Sequence, residues 1–159
     1  MRPATAADYP AIHAVEAAAF RQVDEALMVE GARAEGAALV ELVEERDGQI
    51  VGHILFNRMT CDPPRFIAGL APVAVEPAFQ GRKIGDALCR AGIEAVRALG
   101  AEAVVVLGHP TYYPRFGFSH ALAAPLASPY AGRPAFMGLE LTPGALTPPL
   151  KIDYPKAFG

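Results

Sequence analysis

Ala71-Pro-Val-Ala-Val-Glu-Pro-Ala-Phe-Gln-Gly-Arg-Lys-Ile-Gly-Asp-Ala-Leu-Cys-Arg90, continued to Leu99, reads as a strand, a tight loop and a long helix. The apolar run from Leu70 to Val75 is too short for a helix and is bounded by Pro77, which favours a buried strand. Gln80 to Gly85 forms the loop, and beyond it Ile84, Leu88, Ala91, Ala95, Val96 and Leu99 recur at helical spacing. Asp86, Arg90, Glu94 and Arg97 fall on the opposite face, where Glu94 is spaced to pair with Arg90 and Arg97. Gly100 stops the helix.

A glycine-bearing loop that opens straight into a helix leaves the first helical N–H groups unpaired, with the positive end of the helix dipole behind them. Such a place suits a phosphate. Arg82 and Lys83 add positive charge to the same turn. The glycines equally suit a helix start that needs their backbone angles and nothing more, so the loop alone leaves both readings open. It lacks the Gly-Lys-Ser/Thr of a nucleotide P-loop and the Gly-x-Gly-x-x-Gly of a dinucleotide turn.

Val75 to Gly85 resembles the acetyl-CoA pyrophosphate loop of the GNAT superfamily of N-acetyltransferases, whose signature is Gln or Arg, two residues, Gly, one residue, Gly or Ala. Gln80 and Gly85 occupy the first and last positions of that signature. Lys83 replaces its middle glycine, so a lysine must take a backbone geometry the family gives to glycine.

The rest of the chain bounds the answer. At 159 residues, 52% of them hydrophobic, it fits one domain, residues 1–159, with a core of its own. A net charge of −3 argues against a general nucleic-acid binder, which needs a basic face. Cys61 and Cys89 show neither metal-ligand spacing nor a disulfide framework, so no metal is expected and a reducing cytoplasm is compatible. No export segment and no membrane span is legible, since no stretch approaches the roughly 20 apolar residues a span needs. A soluble, cytoplasmic protein is the expectation.

Met1 to Thr5 reads as a short edge strand, and Thr5-Ala-Ala-Asp8 has the form of a capping box. Pro10 belongs in a first helical turn, so Asp8 competes with Thr5 as the cap and the helix begins nearer Tyr9. A second helix is expected from Asp24 to Glu35, stopped by Gly36. Ala38 to Glu45 and Gln49 to Met59 are β-rich runs around Asp47-Gly48, a strong hairpin signal. Cys61 to Arg65 reads as a loop, and Phe66 begins the strand leading to the central motif. Ala103 to Leu107 is continuously apolar, as in a strand covered on both faces. Strand, helix and strand then make a right-handed parallel unit. The tail from Thr142 to Gly159 is expected to pack as an ordered arm through Leu146, Ile152, Tyr154 and Phe158.

Gly108 to Phe118 supplies a second anchor of the resemblance. GNAT proteins commonly carry a Tyr four residues before a Gly-Phe pair, at the end of a short helix after the fifth strand, and Tyr113 with Gly117-Phe118 matches that spacing. With Ala19-Phe20, Gly52 to Phe56, Phe136 to Leu141 and Pro143 to Leu146, the likeness extends over nearly the whole chain and is greatest to the YhbS-like branch. It implies an α/β fold of mixed α+β sheet type, the GNAT-like acyl-CoA N-acyltransferase fold, with splayed central strands flanked by helices. It further implies acetyl-CoA as acetyl donor, its pantetheine arm on the backbone of Val73, Ala74 and Val75 and its diphosphate on Gln80, Gly81, Arg82, Lys83, Ile84 and Gly85. The acetyl group would pass directly to an amine of unknown identity, small molecule or protein, with Tyr113 protonating the departing thiolate. The bland reading of Tyr113 is a core aromatic with its hydroxyl tied to the backbone; Tyr112 reads as core.

No base is legible. The position where some relatives carry a carboxylate falls near Gly69, leaving His53, Glu76, His109 and His120, of which His109 lies just after the fifth strand. An Asn that many relatives use there for the pantetheine arm is replaced by Gly108-His109. Neither cysteine has an evident activating base, which disfavours an acetyl-cysteine intermediate. The alternative to an enzyme is a CoA-binding protein that senses acyl-CoA or serves as an interaction domain. Many relatives pair through sheet edges or C-terminal strands, which leaves a homodimer open.

Overall fold

The computed structural model describes all residues from Met1 to Gly159. In chain order its strands are β1 (Arg2–Pro3), β2 (Ala38–Arg46), β3 (Gln49–Arg58), β4 (Thr60–Asp62), β5 (Ile67–Val75), β6 (Ala103–Leu107), β7 (Phe136–Glu140) and β8 (Lys151–Asp153). Its helices are α1 (Tyr9–Phe20), α2 (Asp24–Ala34), α3 (Ile84–Ala98) and the short α4 (His120–Ala123). Six strands form one mixed sheet in the order β1-β2-β3-β5-β6-β7; β4 and β8 make a separate antiparallel pair. Every pairing in the large sheet is antiparallel except β5 with β6, the pair that α3 connects.

Local chemistry explains the elements the sequence announced. Asp47 and Gly48 both take positive φ, 52° and 75°, as a two-residue hairpin turn requires. The Asp8 carboxylate accepts the Thr5 N–H at 2.8 Å, closing the capping box over a single 3-10 turn before α1 starts at Tyr9. Strand alternation then divides the core. Ile54 and Phe56 face α3 and pack with Leu88, Cys89 and Val96. Leu55 faces α1 and α2 and packs with Ile12, Val15 and Val29. Val104 and Val106 of β6 join the α3 side, while Ala103 and Val105 meet Leu126, Leu146 and Ile152 on the other, so this strand is covered on both faces. Gly92 lets α3 approach: a Cβ there would sit 2.2 Å from the Phe56 ring.

Two expectations are corrected. Cys61 is not in a loop but in β4, opposite Ile152 of β8, because the tail folds back to supply a partner strand. Glu94 bonds Arg97 at 3.4 Å and not Arg90, whose guanidinium lies 5.0 Å from the centre of the Phe116 ring. The tail is the ordered arm expected, with Leu146 and Ile152 buried and Tyr154 and Phe158 packed at its end. The structure adds a detail to β5. It runs beside β6 only from Ile67 to Leu70, and beyond that point the two strands part. Its register against β3 passes from Leu70↔Phe56 to Val73↔Ile54, so Ala71 and Pro72 stand opposite the single residue Leu55. That extra residue reverses the facing of the strand: Leu70 belongs to the α3 side, Ala74 to the α1 side.

Candidate active site

The parting of β5 and β6 opens a cavity of about 740 Å³. Leu70 to Val75 form one wall, Leu107, Gly108 and His109 the other, and Gln80 and Gly85 close the end at the start of α3. The Val75 carbonyl accepts from the Gln80 side chain at 3.0 Å, which ties the loop to the end of β5. Gly81 turns with φ 79° and Lys83 with φ 62°, so the lysine does occupy left-handed backbone that glycine favours. Such a conformation costs a non-glycine residue about 1–2 kcal/mol, and strain of this kind collects at ligand sites. Lys83 is the N-cap of α3 and offers no side-chain cap, leaving the first-turn N–H groups without a side-chain acceptor. Arg82 and Lys83 are exposed beside them, Arg82 lying 5.0 Å from the Phe79 ring centre.

Opposite the loop stand Tyr112 and Tyr113, carried by the turn after β6. Tyr113 opens a 3-10 turn, Tyr113–Phe116, that Gly117 closes at φ 97°, so it begins the short helix and does not end it. Gly108 makes room for its ring, since a Cβ there would fall 2.2 Å from it. The ring packs edge-on against Tyr112 and Phe118. Its hydroxyl makes no hydrogen bond within the protein, unlike a tyrosine whose phenol serves only to satisfy backbone. Burial pushes its pKa well above the ordinary phenol value, so it stays protonated. Tyr112 is not plain core: it is half-buried on the cavity wall, and its hydroxyl donates to Asp86 at 2.6 Å.

Of the four candidate bases only His109 lines the cavity. His120 bonds the Phe136 carbonyl at 3.1 Å, and Glu76 follows β5 outside the wall. His53 faces α1, fully buried, with its ring nitrogens 2.5 Å from Glu16 and 2.7 Å from Glu41. Arg33 completes that row by binding Glu41 and stacking 3.6 Å from the centre of the Tyr9 ring. Burial alone would lower the His53 pKa, but its two carboxylate partners outweigh burial and raise it. The group is structural, a buried ion pair spanning α1, β3 and β2. Burial also lifts the thiols, Cys89 to about 12 and Cys61 to about 11, so neither presents a thiolate.

Further wall residues lie outside the loop and Tyr113 motifs: Ala19, Phe20, Glu25 and Met28 from the corner between α1 and α2, and Tyr130, Tyr154 and Phe158 from distant segments. Only the tertiary fold brings them to the cavity.

The splayed parallel pair and the uncapped glycine loop at the end of its cavity are the two features that the resemblance to acetyltransferases implied. The profile of the Acetyltransferase (GNAT) family matches residues 8–118, and the chain belongs to that family of acyltransferases. It is 38% identical to the uncharacterized N-acetyltransferase YjhQ of Escherichia coli, over 93% of this chain and 88% of that one. A GNAT family acetyltransferase from Brucella melitensis, solved in complex with acetyl-CoA, superposes with TM-score 0.85 at 34% identity, covering 99% of this chain and 96% of the other. YhbS from Escherichia coli, solved with CoA, superposes with TM-score 0.90 at 29% identity, covering 99% and 89%. These likenesses favour the enzyme over a CoA-binding sensor. No helix is long and apolar enough to cross a membrane.

Proposed function

We propose that this acetyltransferase, folded as one domain over residues 1–159, binds acetyl-CoA between β5 and β6 and passes the acetyl group in one step to an amine, with Tyr113 as the acid. The observation that carries the reading is the end of β5–β6 pairing at Leu70, with a cavity beyond it that runs to the loop before α3. The diphosphate meets the N–H groups of Gly81 to Gly85 at the positive end of α3, with Arg82 and Lys83 beside it. Gln80, already bonded to the Val75 carbonyl, braces the loop. The pantetheine arm lies along the free edge of Val73, Ala74 and Val75 and there takes the place β6 has left.

In the reaction the amine nitrogen attacks the thioester carbonyl, a C–N bond forms, the C–S bond breaks, and Tyr113 protonates the thiolate. Holding the two reactants in line contributes up to about 7–11 kcal/mol in the best intramolecular cases. Proton transfer from a positioned acid adds roughly 10²–10⁴ in rate. The proton lost by the amine leaves by way of His109 or water. The unpaired thiols Cys61 and Cys89 and the bacterial relatives support a cytoplasmic setting, and the net charge of −3 supports an acceptor other than nucleic acid. The test is release of CoA from acetyl-CoA that requires an added amine and collapses in Tyr113→Phe. Release independent of any amine, or unchanged in Tyr113→Phe, would refute the assignment.

A further inference from the structure

The cavity has a second half that the acetyl-CoA reading leaves unused. Past the β5 wall it is bounded by Phe20, Glu25 and Met28 at the corner of α1 and α2, and by Tyr130, Tyr154 and Phe158 from the end of the chain. Glu25 is the only Asp, Glu, Lys or Arg among the residues lining the cavity. Glu25 is half-buried as a residue, and its two carboxylate oxygens, which are exposed, are bonded only by the neutral Gln22 side chain, at 3.0 and 3.1 Å. A single anion in an otherwise uncharged wall attracts one cation and has no partner for an anionic ligand. The rest of this side is aromatic and thioether surface apart from the Tyr130 and Tyr154 hydroxyls, the latter buried without a partner, and suits an apolar body that reaches beyond the cation.

The wall is held firmly. The Glu35 carboxylate accepts the N–H groups of Lys156 and Ala157 at 3.2 and 3.0 Å, pinning the final turn to α2. Gly31 lets that turn seat closely, since a Cβ there would lie 2.7 Å from the Ala157 methyl. Tyr154 packs edge-on to Tyr130 at 5.1 Å and joins Phe158 at 6.2 Å.

Resting on the transferase reading above, we propose that the acceptor is a small primary amine bearing an apolar, aromatic-sized group: Glu25 pairs with its ammonium, and the aromatic wall takes its body. A polyamine would place its second ammonium against aromatic and apolar groups with no further carboxylate to meet it. The balance is R–NH3⁺ plus acetyl-CoA giving the acetamide, CoA thiol and one proton to solvent.

The experiment first titrates the protein with acetyl-CoA by calorimetry, then compares initial rates with 2-phenylethylamine, spermidine and a lysine-containing peptide as acceptors. The expected result is a kcat/KM for 2-phenylethylamine at least about tenfold above the other two. Glu25→Gln should raise its KM on the order of tenfold, as the loss of one charge-assisted contact does, with acetyl-CoA affinity intact. Glu25→Asp should recover part of the loss. Binding of acetyl-CoA with no turnover of 2-phenylethylamine, with preference for spermidine or the peptide, or with an unmoved KM in Glu25→Gln, would overturn the proposal. Failure to bind acetyl-CoA at all would overturn the transferase reading beneath it, and the calorimetry tells that failure from the others.

Discussion

Replacing Gly85 by alanine and by leucine separates what the loop does for the fold from what it does for the ligand. Gly85 is the second residue of α3, and a Cβ built there meets the Tyr112 hydroxyl at 3.5 Å and the Val75 side chain at 3.9 Å, both ordinary contacts. The methyl therefore fits without strain. Alanine also restricts the unfolded chain and favours helix, which together are worth about 0.5–1 kcal/mol. In a chain of this size that raises Tm by about 1–4 °C. The family signature admits Ala as well as Gly at this position, so Gly85→Ala should bind acetyl-CoA like the wild type. A larger side chain at Gly85 projects toward the Tyr112 hydroxyl and Val75, at the cavity end where the diphosphate has to approach the backbone, and Gly85→Leu should weaken acetyl-CoA binding at least about tenfold, or ~1.4 kcal/mol. Thermal unfolding of Gly85→Ala and calorimetric titration of Gly85→Leu thus read the two roles separately. Wild-type binding by Gly85→Leu would refute the placement of the diphosphate; a Gly85→Ala variant less stable than the wild type would refute the packing argument.

Tyr113→Phe keeps the ring against Phe118 and removes only the acid, so kcat should fall by about 10²–10⁴ while the acetyl-CoA Kd stays put, as single-turnover rates and calorimetry will report. Because burial raises the Tyr113 pKa, the wild-type kcat should show no alkaline loss from this group up to its ordinary value of 10. His53→Gln removes the charged partner of the fully buried Glu16, while Glu41 keeps Arg33, and should cost about 3–5 kcal/mol by denaturant titration. The folded-state pKa of His53 is raised, so its contribution is full below the ordinary value of 6.5 and is lost as pH climbs through the raised one. The gap between wild type and variant should accordingly narrow in alkali. Lys83→Gly relieves the left-handed lysine but frees the unfolded chain, two effects of similar size that leave stability within about 1 kcal/mol. It should still weaken acetyl-CoA binding at low salt, with the difference shrinking as salt is added.

What was legible in the sequence was local. The Asp47-Gly48 hairpin, the Thr5–Asp8 box, the glycine loop with its helix and the two-sided burial of Ala103 to Val106 all rest on neighbours within a few residues, and each stands in the structure. The strand β5 was visible, but its extra residue at Ala71-Pro72 was not, because a bulge is defined by the partner strand. For the same reason β4 escaped notice: three residues have no period, and their partners lie in Lys151–Asp153. His53 read as a candidate base since nothing near it in sequence discloses Glu16 and Glu41. Val73, Ala74, Val75, Gln80 and Gly85, named from one contiguous stretch, line the cavity, whereas Phe20, Glu25, Tyr130 and Tyr154 come from separate segments that only the tertiary fold gathers.

The most direct test is a crystal structure of the protein with acetyl-CoA. The diphosphate is expected within hydrogen-bonding distance of the Gly81 to Gly85 N–H groups, the pantetheine arm along Val73 to Val75, and the thioester sulfur within reach of the Tyr113 hydroxyl. A diphosphate bound elsewhere, or a sulfur turned away from Tyr113, would contradict this placement.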